Sequence, residues 1–140
     1  MGVKIKPKIL SREARELLEV LEEIDRYGYF DTNVPWEWIE WEEVEFVDDR
    51  DYAKFIHEEV PENIKEVAKE IGAEAYVYHK KDDVPGSEYI VQINRRGKTY
   101  TLYVDYSPSD LEEGRFTLYI VRGEKGWYEP SVHYHSVPWL

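Results

Sequence analysis

The chain contains no cysteine, so disulfides, thiolate metal ligands and cysteine nucleophiles are all excluded. That absence leaves the redox compartment open. Methionine occurs once, as the first residue. No run of about 18 apolar residues occurs, so no membrane-spanning helix is expected. The opening Met1-Gly2-Val3-Lys4-Ile5-Lys6-Pro7 has no apolar core of a secretory leader, and Lys6 breaks the myristoylation pattern. A soluble, cytoplasmic protein is the expectation. Positive charge is also scarce: 18 Lys and Arg face 30 Asp and Glu, a net charge of −12. Phosphate backbones and anionic membranes would be repelled, so no nucleic-acid or membrane partner is expected. Histidine is rare too, with four in 140 residues. The Walker, dinucleotide-binding and nucleophile-elbow motifs are missing.

What is present is enough apolar and aromatic residue for one domain with a real core. Leu10, Ala14, Leu17, Leu21 and Ile24 recur at helical spacing, with Ser11 as N-cap and Gly28 as the stop. Residues 29–46 hold Trp36, Trp38 and Trp41 among carboxylates and fit either a short helix after Pro35 or a strand. Asp48 or Asp49 caps a helix to about Glu59, and Pro61 opens another that ends at Gly72.

From residue 74 the period becomes two. Strands are expected at 74–80, at 88–95 and 98–106 around an Arg96-Gly97 turn, at 115–122, and at 127–137. Val84 to Ser87 and Gly123 to Gly126 read as turns, and 107–114 as a single helical turn. This order predicts a single α+β domain, residues 1–140. N-terminal helices would pack on a curved antiparallel sheet of about five strands. The element order is similar to cystatin-like and NTF2-like pocketed folds. Near-ideal helix patterning, glycine at the turns and the absence of cysteine resemble a computationally designed protein. A hyperthermophile protein shares the glutamate richness.

The histidines carry the chemistry. His133 and His135 stand two apart in the last expected strand, hence on one face and roughly 7 Å apart. Two imidazoles so placed can converge on one metal ion. The pair resembles the His-x-His of the three-histidine zinc site of carbonic anhydrases. That resemblance implies a third histidine from a neighbouring strand. His79 is preferred, because it shares a strand face with Ala75 and Val77; His57 is the alternative, as a third or fourth ligand or a supporting group. Zinc is the default ion, although Cu, Ni, Co or Fe also accept imidazoles. A carboxylate would serve as general base: Glu40 or Glu42 among the tryptophans, or Glu129 on the face of the His-x-His. The expected function is a zinc-dependent hydrolase acting on an activated ester or similar carbonyl. The alternative is a binding module, taking a small molecule in an aromatic pocket or a basic protein on an acidic surface. Oligomeric state stays open.

Overall fold

A computed structural model describes residues 9–81, 84–85 and 88–137. The expectations for residues 1–7, and for Gly86 and Ser87 in the 84–87 turn, lie outside the described residues. Helices α1 (Arg12–Tyr27) and α3 (Val60–Glu70) cover one face of a six-stranded antiparallel sheet, and the short α2 (Asp49–Lys54) leads toward α3. A π-helical segment, Phe55–Glu59, joins α2 to α3. The strands are β1 (Tyr29–Trp41), β2 (Glu74–Lys80), β3 (Tyr89–Arg95), β4 (Lys98–Tyr106), β5 (Phe116–Lys125) and β6 (Tyr134–Val137). Their spatial order is β1-β5-β4-β3-β2-β6, so β1 and β6 are the two edges. A short helix, α4 (Pro108–Glu112), links β4 to β5. The expected α+β architecture is therefore what forms, with six strands where about five were expected. No helix among the described residues is long and apolar enough to cross a membrane.

Local chemistry explains the first helix. The Ser11 hydroxyl accepts from the Ala14 N–H, and Gly28 ends the helix at φ 85°, a conformation that favours glycine. Ala14, Leu17, Leu21 and Ile24 point into the core as their spacing requires. The β3–β4 hairpin turns through Arg96 and Gly97, both at positive φ, which matches the right-handed twist of the flanking strands.

The tryptophan segment resolves as a strand, and an irregular one. Thr32 to Pro35 stand across from Val121 alone, so Pro35 costs the ladder nothing. Trp38 makes a second irregularity, an extra residue between the Glu37–Tyr119 and Ile39–Leu118 pairs. Such a bulge breaks the two-residue alternation. Trp38 and Ile39 are consequently both buried, although neighbours in a regular strand face opposite ways.

Two boundaries differ from expectation. Gly123 to Lys125 continue β5 instead of turning. A Cβ on Gly123 would lie 2.7 Å from Leu102 Cδ2 and 2.8 Å from Ile24 Cδ1. The glycine is thus where α1 sits closest on the sheet, and both neighbours are fully buried. Gly123→Ala is expected to lower unfolding free energy by about 1–3 kcal/mol through overpacking. Urea denaturation would measure this; an unchanged midpoint would show that Leu102 and Ile24 yield freely. The last strand is also shorter than the expected 127–137. Only Tyr134–Val137 pair, because residues 126–133 cross the helix-free face of the sheet. Gly126 O accepts from Thr101 Oγ1 at 2.9 Å, Tyr128 O accepts from Gln92 Nε2, and Trp127 meets Tyr76 edge-on at 5.0 Å. The crossing carries the chain from β5 to the far edge, where β6 joins β2.

Candidate metal centre

β6 pairs antiparallel with β2, and His135 stands directly opposite His79. Directly opposite residues share a face, here the one covered by the helices. His79 is 1% exposed, and His135 is partly buried at the sheet edge. The third imidazole comes from above: His57, on the π-helical segment, meets the His79 ring edge-on with centroids 4.7 Å apart. The His57–His135 and His79–His135 centroids are 5.5 and 5.8 Å apart. One ring nitrogen from each of the three lies within 4.8 Å of the others, so the cluster can hold a metal ion. Nitrogens about 2.0–2.1 Å from a tetrahedral zinc would stand about 3.3 Å apart. The present spacing, up to 4.8 Å, is wider than that, so the rings would draw together on the ion.

Pro61 explains how His57 arrives there. It stands in the first turn of α3, as its position predicted, but no break precedes it: one continuous helical stretch runs from α2 through the π-helical segment into α3. A proline inside an α-helix lacks the N–H for the preceding turn and crowds the carbonyl four residues back, here that of His57. Widening to i→i+5 bonding relieves the crowding: the Val60 N–H donates to Phe55 O. In that pattern the Ile56 carbonyl would look to Pro61, which has no N–H to give. The Tyr89 hydroxyl donates to Ile56 O instead, at 2.6 Å. Burial holds the Tyr89 phenol well above its usual pKa, so it stays protonated and able to donate. A sequence feature, Pro61, and a residue far along the chain, Tyr89, together set the turn that carries His57.

The cluster is walled by rings. Tyr89 meets His79 edge-on at 5.0 Å, and Tyr106 stacks beside it at 6.2 Å. Tyr106 continues to Phe116, Phe55 and Trp41 through contacts of 4.9, 5.0 and 5.7 Å. Burial, then the neighbouring charges of His57, His135 and Lys80, push the His79 pKa down to about 3. His79 is therefore a neutral imidazole near pH 7, the form that binds metals. Its Nε2 lies 3.0 Å from the Tyr106 hydroxyl, and its Nδ1 is buried with no hydrogen-bond partner. A buried polar atom left without a partner costs about 1–3 kcal/mol. A cation at the centre of the cluster would satisfy it, so the residues present fit a metal.

The sequence-derived ligand set needs one exchange. His79 and His135 are brought together, and His57 completes the group. His133 does not join them. It lies exposed in the turn before β6, where the Tyr134 N–H donates to Ser131 O and the His133 N–H to Ser131 Oγ. The His133 carbonyl still accepts from the Lys81 N–H at 2.8 Å, but the residue sits in the turn and not in the strand, so its side chain does not follow the alternation that His135 obeys. The three candidate bases are also elsewhere. Glu40 lies on β1, exposed beside a groove with Glu13, Glu66 and Glu70. Glu42 follows β1 in an acidic depression with Glu43, Glu45 and Glu113. β1 and β6 are opposite edges, five strand spacings or roughly 24 Å apart. Glu129 is exposed in the crossing segment, on the side of the sheet away from the imidazoles. Sequence reasoning missed Tyr89 and Tyr106. β3 is buried on both faces from Tyr89 to Ile93, so alternation gave no signal there, and nothing local tied either phenol to a histidine. No family model, curated protein or solved structure matches this chain.

Proposed function

We propose that His57, His79 and His135 hold a zinc ion, and that the protein is a zinc-dependent hydrolase acting on an activated ester or a comparable carbonyl. One observation carries the reading: three imidazoles from three separate elements converge within 4.8 Å, with no cysteine or carboxylate in the group. An all-imidazole set suits zinc and also Cu, Ni, Co or Fe; zinc is the default because it needs no special geometry or redox partner. Three protein ligands are the number that leaves a tetrahedral ion one position for water or substrate, as in catalytic zinc sites. A divalent ion there supplies Lewis acidity toward a carbonyl oxygen and acidifies a coordinated water. The chain's own residues hold and orient the imidazoles and exclude bulk water behind His79. The proposal assigns no role to Glu40, Glu42 or Glu129.

Chelator-treated protein titrated with zinc is expected to bind one equivalent. His135→Ala is expected to bind less than one equivalent, while His133→Ala retains it. Failure of the unaltered protein to take up any zinc would sink the site. Nitrophenyl ester hydrolysis is expected only with zinc present; equal rates with and without it would leave the metal site standing and reject the hydrolase.

A further inference from the structure

We infer that Tyr106 is a positioning residue for this centre: its hydroxyl oxygen accepts the Nε2–H of His79 and so commits the lone pair of Nδ1 to the metal. This inference rests on the metal reading above and adds to it the ligating atom and the group that selects it.

A neutral imidazole carries one N–H and one lone pair, and only the lone pair can bind a metal. On His79 the two nitrogens have different surroundings. Nε2 faces the Tyr106 hydroxyl at 3.0 Å, and Nδ1 is enclosed with no hydrogen-bond partner. A phenol can donate or accept, so two arrangements are open. In one, Tyr106 donates to Nε2 and the proton sits on Nδ1. That leaves a buried N–H with nothing to bond. In the other, Nε2–H donates to Tyr106 and a lone pair is left on Nδ1. Only the second prepares His79 for a cation, and metal-bound histidines commonly donate their other ring N–H to an oxygen in this way.

The fold makes the contact a fixed one. Tyr106 is the last residue of β4, and His79 lies near the end of β2, two strands away. Both are buried, at 8% and 1% exposure, and Phe116 and Tyr89 pack against the Tyr106 ring at 4.9 and 5.5 Å. The phenol cannot swing aside, so the hydrogen bond persists with or without metal. Tyr106 touches no ion itself and acts through His79.

The test begins with zinc titration of the unaltered protein, since failure there rejects the centre and not merely the role of Tyr106. Given zinc binding, Tyr106→Phe is expected to weaken zinc affinity by roughly 10–100-fold. Unchanged affinity in a folded variant would overturn the inference. A second measurement needs no variant. Nitrogen NMR of the metal-free protein distinguishes a protonated from an unprotonated ring nitrogen. The expected spectrum shows His79 protonated at Nε2; protonation at Nδ1 would overturn the inference even if Tyr106→Phe failed to fold. On zinc addition the Nδ1 resonance is expected to shift while the Nε2 proton persists.

Discussion

His79→Ala is expected to abolish zinc-dependent stabilisation. Zinc at about 100 times its dissociation constant would stabilise the native protein by about 2.7 kcal/mol if the unfolded chain binds none. Removing one of three ligands is expected to weaken zinc by more than about 100-fold, beyond the range for groups that only support a ligand. The zinc-induced rise in melting temperature should then disappear at the same zinc concentration. His79 is the informative position because it is the deepest of the three, in contact with both other imidazoles and with Tyr106. Its removal also destabilises the metal-free fold, because a buried ring is lost and the Tyr106 hydroxyl loses this partner. The quantity to compare is therefore the difference between zinc-loaded and zinc-free melting within each variant. A full zinc-induced rise in His79→Ala would remove His79 from the ligand set.

Trp38→Ala is expected to cost about 3–5 kcal/mol of stability, the range for deleting a buried large aromatic. Trp38 is fully buried and its Nε1–H donates to Glu13 O at 3.0 Å, fixing β1 against the first turn of α1. It is also the bulge residue of β1, so its side chain sits where a regular strand would have turned it outward. A loss this large corresponds to roughly 10 °C or more in melting temperature for a domain of this size. Trp38→Phe keeps most of the apolar volume but not the donor, and is expected to lose less than the alanine variant. A midpoint shift below about 1 kcal/mol for Trp38→Ala would mean that the α1–β1 contact is not a principal support of the fold.

The helices and most strands were legible because their causes are local. The spacing of Leu17, Leu21 and Ile24, the Ser11 cap and the Gly28 stop need no distant partner. The Arg96-Gly97 turn and the alternation of Ala75, Val77 and His79 are likewise short-range. Legibility failed where a distant contact changes a local rule. Gly123 reads as a turn residue until Ile24 and Leu102 are placed against it. Pro61 reads as the start of a separate helix; that the helical stretch is continuous through it, with Tyr89 bonding the Ile56 carbonyl, appears only in the tertiary structure. Trp127 to His133 read as strand until the segment is seen crossing the sheet to reach its far edge.

The histidine cluster divides along the same line. Sequence alone determined that no thiolate can take part in a metal centre and that at most four imidazoles can, because there is no cysteine and there are four histidines. It also put His79 on the same strand face as Ala75 and Val77. Which histidines meet was decided by tertiary structure. Antiparallel pairing sets His135 opposite His79, and the start of β6 at Tyr134 leaves His133 in the turn. A proline-induced π-turn, fastened by Tyr89, delivers His57. Spacing along a chain measures distance only within one unbroken element. Here the three imidazoles come from three elements, so pairing register and helix geometry select them.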